Sequence, residues 1–310
     1  MTALPRNLKN ILVIKLGALG DFVQAFGPFN AIRRARPKAH ITLLTTAPFK
    51  ELAEKSGWFD DVWVDDKPKR IGQYFALRQK LRAGKFDMVF DLQTSDRSAL
   101  YWRMMWPGQP ALSGIAGGAS HPHANPNRDR MHTLDRQREQ LEMAGISKFP
   151  EPRLNWADAD LSAFDLPKDF ALIVPGGAPH RPEKRWTVKG FSDLANHLVS
   201  TDLTPVLIGT DADAEWTAAI AKSCPVAVDL TGKTSLFELA GLARRAELAI
   251  GNDTGPMHMT AALGCRSVVL YSHASDPKLC GQRGKHVSIV RVHKLGELPL
   301  ITVLDAIKRT

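Results

Sequence analysis

The stretch Asn10-Ile-Leu-Val-Ile-Lys15-Leu-Gly-Ala-Leu-Gly-Asp21 decides the fold. Its first residues form a short β-branched run, the pattern of a strand buried inside a parallel sheet. Gly17 and Gly20 then permit a tight turn. Phe22 to Arg34 follows with helical spacing and stops before Pro37. Strand, glycine turn and helix in that order open a Rossmann-like βαβ unit. The spacing is GxxG and not the GxGxxG of a dinucleotide turn, so a dehydrogenase is not indicated.

Working outward, the alternation continues. Strands are expected at His40–Thr45, Asp61–Asp65 and Phe86–Asp91, with helices at Pro48–Ser56 and Arg70–Ala83. Residues 108–130 are rich in Gly, Pro, His, Asn and Arg without periodicity and read as a long loop. A charged helix, Thr133–Met143, closes this half. Pro152 and Pro167 lie in an aperiodic stretch, 151–168, read as a linker. The second half repeats the plan. Strands are expected at Phe170–Val174, Pro205–Ile208, Val226–Asp229, Leu248–Ile250 and Ser267–Tyr271. Helices are expected at Val188–Leu198, Asp213–Lys222, Ser235–Arg244 and Met257–Leu263. The expected fold is α/β, with Rossmann-like domains over 1–150 and 169–310. The last helix is the element that could return to the first domain.

The totals agree with two domains. The chain has 310 residues, 44% of them hydrophobic and 24% charged. Cys224, Cys265 and Cys280 are scattered and form no CxxC pair, so they read as reduced cysteines of a cytosolic protein and not as a disulfide or zinc framework. The apolar run Ile11–Leu19 is interrupted by Lys15 and is too short to cross a bilayer or to act as a leader. The net charge of +9 is unevenly placed. Residues 1–150 carry 23 Lys and Arg against 14 Asp and Glu, whereas residues 151–310 carry 18 of each. A basic first half suggests an acidic partner docking there, with Arg97, Arg128 and Arg130 as contacts.

Ligands of such sheets bind beyond the carboxyl ends of the strands, and three segments fall there. In Gly17-Ala-Leu-Gly20-Asp21, the carboxylate stands at a helix start, where it can serve as a general base or cap the helix. In Pro175-Gly-Gly-Ala-Pro-His-Arg-Pro-Glu-Lys-Arg-Trp186, Gly176 and Gly177 precede His180, Arg181, Lys184 and Arg185. That arrangement suits a diphosphate, although an exposed basic loop has the same composition. In Gly251-Asn-Asp-Thr-Gly-Pro-Met-His258, Asp253 and Thr254 suit a helix cap, and the N–H groups there make an anion site. His258, inside the helix, reads first as a packed histidine. Gly232-Lys-Thr234 falls short of a P-loop because Ala227 occupies the required first glycine. The pairs Asp158/Asp160 and Asp211/Asp213 are weak grounds for a metal, and none is expected.

These segments, with Lys15-Leu-Gly-Ala-Leu-Gly-Asp21, Asp91-Leu-Gln93, Lys184-Arg-Trp186 and Asn252-Asp-Thr-Gly-Pro-Met-His258, resemble the lipopolysaccharide heptosyltransferases of glycosyltransferase family 9 over nearly the whole chain. The resemblance implies a GT-B fold, two Rossmann-like domains facing across a cleft. It implies a nucleotide-sugar donor, ADP-heptose, as co-substrate with no resident cofactor. It implies metal-independent inverting transfer to an acidic lipopolysaccharide core or lipid A-type acceptor, in the cytoplasm at the inner membrane surface, with no nucleic acid. Under it, Asp21 is the base. Gly176, Gly177, Lys184, Arg185, Asp253, Thr254, Gly255 and His258 hold the donor, and Glu215, after Gly209, holds its ribose. Gly17, Gly20, Gln93, Arg97, Arg128 and Arg130 serve the acceptor. The chain departs from the family where Ala178-Pro-His-Arg-Pro182 replaces a Ser/Thr-containing loop. Two rivals stay open: a family member using another nucleotide sugar or a protein acceptor, and a non-catalytic nucleotide-sugar-binding module. The joint presence of Asp21, Lys184 and Asp253 argues against the latter.

Overall fold

The β-branched run beginning at Asn10 is strand β1 (Asn10–Ile14), whose Ile11, Leu12, Val13 and Ile14 are completely buried. A central parallel strand is covered on both faces, which is why apolar residues occupy successive positions. The protein is seen here in a computed structural model that describes residues 8–178 and 180–310. Pro179, in the Pro175–Trp186 segment, lies outside the described residues.

Two compact units divide at residues 156 and 157, inside the Pro-containing stretch 151–168. In the first unit, β1 pairs in parallel with β2 (His40–Thr45) and β4 (Met88–Asp91). Outside these lie β3 (Asp61–Val64), β5 (Ala111–Gly114) and β6 (His121–Pro122), giving the order β3-β2-β1-β4-β5-β6. Helices α1 (Leu19–Val23), α2 (Phe26–Ala35), α3 (Lys50–Lys55), α4 (Ile71–Ala83), α5 (Asp96–Arg103) and α6 (Thr133–Met143) make the connections. One face of the sheet packs Leu12, Ile14, Leu44 and Val89 against Leu81, Tyr101 and Trp102. An aromatic cluster also forms in this unit: Phe22 stacks on Phe49 with ring centroids 4.7 Å apart, and Phe26 and Trp58 meet Trp156 at 5.8 and 5.4 Å.

The second unit repeats the order. β7 (Phe170–Val174), β8 (Thr204–Leu207), β9 (Val228–Asp229), β10 (Leu248–Asn252), β11 (Ser267–Tyr271) and β12 (Val287–Arg291) form the parallel sheet β12-β11-β10-β7-β8-β9. Its helices are α7 (Val188–Val199), α8 (Ala214–Ser223), α9 (Leu236–Arg245), α10 (Gly255–Ala262), α11 (Pro277–Cys280) and α12 (Leu300–Arg309). These are the two Rossmann-like domains of the GT-B class that the sequence implied.

Four expectations need correction. The helix read over Phe22–Arg34 is two helices, α1 and α2, with Gln24 and Ala25 between them. The stretch 108–130 contains β5 and, at the edge of the sheet, β6, which at four and two residues are too short to show periodicity. Helix α5 was not foreseen, yet Ser95 caps it by accepting from the Ser98 N–H. Finally, α12 belongs to the second unit, where its Val303 and Ala306 are buried in the core. Cys224, Cys265 and Cys280 are all free thiols. Among the described residues no helix is long and apolar enough to cross a membrane.

Candidate active site

The turn leaving β1 carries Asp21 in the first turn of α1, where the unpaired N–H groups favour a carboxylate. The N-cap is Ala18 and no side chain caps the helix, so the capping role does not apply to Asp21. Among the described residues no hydrogen bond or ion pair engages its half-buried carboxylate. Two cations lie in its field. Lys15, 4% exposed, donates from Nζ to the Leu92 carbonyl at 3.2 Å. Burial pushes the Lys15 pKa down, with Asp21 and Asp91 opposing and Arg136 reinforcing the shift. Arg136 on α6 is likewise lowered by burial and by Arg128, opposed by Asp129 and Asp21. A carboxylate with no partner among the described residues keeps its oxygens open to a substrate.

Glycine at position 17 is required by geometry. Its φ is +117°, and a Cβ there would meet the Phe49 ring at 2.6 Å. Gly20 is buried inside α1. Gln93 links the carboxyl ends of two strands: its Oε1 accepts from the Leu16 N–H at 2.9 Å. Asp91 is buried beneath. It accepts from the N–H groups of Gln93 and Thr94 at 3.1 and 2.9 Å and from Ser98 Oγ at 2.8 Å. Burial pushes its pKa up to about 6 against those bonds and the Lys15 charge. Gln140 Nε2 donates to the Asp91 and Ser113 carbonyls at 2.9 and 3.2 Å.

The three arginines expected to meet an acceptor differ. Arg97 is committed within the unit to Asp65 and to Tyr101, 2.8 Å from Nε. Arg128 reaches the β4 end, with Nη2 3.3 Å from Thr94 Oγ1 and Nη1 2.7 Å from Asp129. Arg130 is exposed. Arg136 and Lys15, which are absent from the expected site residues, both feel the charge of Asp21.

In the second unit the glycine turn after β7 is braced by a completely buried asparagine at the end of β10. Asn252 Nδ2 donates to the Pro175 and Gly176 carbonyls at 2.8 and 3.2 Å, and its Oδ1 accepts from the Trp186 N–H at 3.0 Å. Trp186 is 1% exposed and donates from Nε1 to the Leu298 carbonyl, so it anchors the end of the Lys-Arg-Trp run. Lys184 is thereby delivered to Asp253, Nζ to Oδ2 at 2.5 Å, with the two side chains 14% and 7% exposed. Ser275 Oγ and Gln282 Nε2 complete the shell at 2.8 and 3.3 Å. Burial alone would raise the Asp253 pKa, but the hydrogen bond and charge of Lys184, with Ser275 and Tyr271, hold it below the ordinary value.

Asp253 therefore does not cap α10, and Thr254 turns its hydroxyl to the Asn252 carbonyl at 3.2 Å. No side chain caps α10, and because Pro256 has no N–H, the first-turn donors open to an anion beside Lys184 are those of Gly255 and Met257. Gly176 has a second reason to be glycine: a Cβ would stand 2.7 Å from the Asp213 carboxylate. That carboxylate closes the Thr210 turn at 2.9 Å and faces Arg185 at 3.5 Å, and Arg185 also lies over the Trp216 ring and bonds the Gly177 carbonyl. His258 is buried on α10, and Glu215 is exposed in the first turn of α8. In the near P-loop, Lys233 Nζ returns to the Asp229 carbonyl at 2.8 Å, which makes it part of its own turn.

The family model for glycosyltransferase family 9 (heptosyltransferase) matches residues 74–307. The chain belongs to this family. As a member of family 9 it is a glycosyltransferase of the heptosyltransferase group. The lipopolysaccharide core heptosyltransferase OpsX of Haemophilus influenzae is 24% identical over 294 residues, 86% of this chain and 79% of OpsX. In fold, the chain resembles the family 9 glycosyltransferase of Veillonella parvula, with a TM-score of 0.86 at 22% identity over 99% of this chain and 98% of that one. It also resembles the heptosyltransferase WaaC of E. coli, solved with ADP-2-deoxy-2-fluoro heptose, with a TM-score of 0.78 at 20% identity over 96% and 99% of the two chains.

Proposed function

We propose that this family 9 member moves a heptose from ADP-heptose to an acidic acceptor of the lipopolysaccharide core or lipid A type, by a metal-independent inverting displacement. The observation that carries the reading is the Asp21 carboxylate, held by no hydrogen bond or ion pair among the described residues and set in the field of Lys15 and Arg136. In the proposed step Asp21 takes the proton of an acceptor hydroxyl. The hydroxyl oxygen bonds the anomeric carbon from the face opposite the leaving group. The bond from that carbon to the diphosphate oxygen breaks, and ADP departs with the electron pair. Lys184 and the open N-terminus of α10 receive the charge growing on the diphosphate, which is how the displacement would proceed without a metal. Arg185 holds the Gly176-Gly177 turn in place, and Glu215 is assigned to the ribose. The names of the relatives support the sugar and the acceptor class, and the analogue bound to WaaC supports the donor.

Release of ADP from ADP-heptose in excess chelator, dependent on a heptose-deficient lipopolysaccharide acceptor, tests the proposal. Activity with UDP- or GDP-linked sugars alone would replace the donor assignment. The Ala178-Pro-His-Arg replacement of the usual hydroxyl-bearing loop makes that comparison worth running. Loss of activity in chelator, restored by a divalent ion, would overturn the metal-independent step.

A further inference from the structure

Three large apolar side chains are the most exposed of those described: Ile71 at 78%, Trp106 at 67% and Phe75 at 60%. All three belong to one surface of the first unit. Ile71 and Phe75 are one turn apart at the start of α4, and Tyr74 between them is itself 36% exposed. Trp106 sits beside the other half of the helix, because Arg78 Nη2 and Arg82 Nη1 donate to its carbonyl at 2.8 and 2.7 Å. The helix is anchored from beneath by Leu81, 1% exposed, and by Leu77 in the core cluster. Its exposed apolar residues therefore contribute nothing to that core.

The charge along α4 and the turn just before it has one sign, although exposed Asp66 precedes that turn. From residue 67 to residue 86 the chain carries Lys67, Lys69, Arg70, Arg78, Lys80, Arg82 and Lys85 and no acidic residue. Lys67, Lys69 and Arg70, just before Ile71, are exposed. Exposed aromatic and aliphatic side chains flanked by lysine and arginine are the groups that the interface of an anionic bilayer holds. Aromatic rings such as those of Tyr74 and Trp106 favour the headgroup level.

We propose that α4, with Trp106 and the preceding Lys67-Pro-Lys-Arg70 segment, docks the protein on an anionic membrane surface. The apolar tips of Ile71, Phe75 and Trp106 enter the interface while the cations meet lipid headgroups. None of these residues is among those assigned to transfer, although the Lys67 N–H donates to Asp65, the partner of Arg97, and docking here would require neither donor nor acceptor.

Co-sedimentation with vesicles tests it, using phosphatidylglycerol mixed with phosphatidylethanolamine against pure phosphatidylcholine, all free of glycolipid. The full chain should bind the anionic vesicles and not the neutral ones, with binding falling as salt rises. Ile71→Ser/Phe75→Ser should weaken vesicle binding at least about tenfold, since both apolar contacts with the interface are lost. Lys67→Gln/Lys69→Gln/Arg70→Gln alters only exposed side chains and should weaken it about 100-fold, at roughly fivefold per cation near the surface. ADP affinity of both variants should equal that of the parent. No vesicle binding, equal binding to neutral vesicles, or parental binding by both variants would overturn the proposal. So would a concentration-dependent dimer that Ile71→Ser/Phe75→Ser abolishes, which would assign the face to a second copy of the chain. A failed transfer assay with normal vesicle binding would instead count against the enzymatic proposal alone.

Discussion

Replacing Lys184 with Met removes its charge while keeping most of its length, and the structure gives the change two separable consequences. The first is on stability. Lys184 and Asp253 are 14% and 7% exposed, so the pair is largely out of water. Removing one partner of a buried pair costs about 3–5 kcal/mol when the other is left uncompensated. Asp253 keeps its bonds from Ser275 and Gln282, so we expect about 2–3 kcal/mol. For a unit of this size that lowers the melting temperature by roughly 5–10 °C. The sign with pH follows from Asp253, whose pKa is depressed in the folded protein. Its contribution is present above the unfolded carboxyl value and lost as pH falls through the folded one. The deficit of Lys184→Met should therefore be largest at neutral pH and shrink in acid. The second consequence is on the nucleotide. Loss of one charge-assisted contact to the diphosphate should weaken ADP about 10- to 150-fold. Calorimetric melting at several pH values, with titration of ADP into the folded variant below its transition, reads both. Lowered stability with unchanged ADP affinity would refute the donor role and leave Lys184 as no more than the counter-ion of Asp253.

Asp91→Asn should remove a pH-dependent penalty. The folded pKa is about 6 against 3.8 for the ordinary carboxyl, so the stability linked to its proton is present below that ordinary value and lost as pH rises through about 6. The variant should match the parent near pH 4 and exceed it by about 3 kcal/mol at pH 7; a difference that stays constant across that window in melting experiments would contradict this. The new amide can donate to Ser98 Oγ, because that hydroxyl has the Ser95 carbonyl at 2.9 Å as an alternative acceptor. Gly17→Ala forces a side chain to φ +117° and against the Phe49 ring, which should cost about 1–3 kcal/mol and lower acceptor turnover; parental melting and kinetics would show that the turn adapts. Arg128→Ala/Arg130→Ala should raise the acceptor Michaelis constant, increasingly so at low salt, and leave the donor's unchanged; equal acceptor kinetics from 0.01 to 0.3 M salt, roughly the screening range, would make both arginines bystanders.

The parts of the molecule readable in sequence are those set by short-range pattern. β1, β7 and β11 are almost continuous apolar runs because both sheet faces are covered. The helices at Thr133 and Val188 keep their period. The glycine turns were legible because few residues can replace glycine there. Elements too short for a period, β5, β6 and α5, were not. The surroundings of the candidate site were hidden for a different reason. Arg136 reaches the field of Asp21 from α6, more than a hundred residues along the chain, and no local spacing announces it. Asn252 stands in the sequence as one residue of a motif, and its task of bracing Pro175, Gly176 and Trp186 is visible only once β7 and β10 are paired. Asp253 was expected to cap α10 because its residue type favours that position. The 2.5 Å bond from Lys184 outcompetes the cap. Likewise, the exposed apolar tips of α4 lie in a segment whose period is helical, and only the packing of Leu77 and Leu81 shows which residues stay outside.

Asp21 is proposed as the base, and steady-state turnover of Asp21→Asn with ADP-heptose and acceptor, beside direct titration of ADP, tests that role. The amide keeps the size of the side chain and its place in the first turn of α1, where no other group among the described residues holds it, but it cannot accept the acceptor's proton. Turnover should fall about 100-fold or more, with ADP affinity within about twofold of the parent because the residues proposed to hold the donor lie on the second unit. Near-parental turnover by Asp21→Asn would contradict the account and move the base to another group.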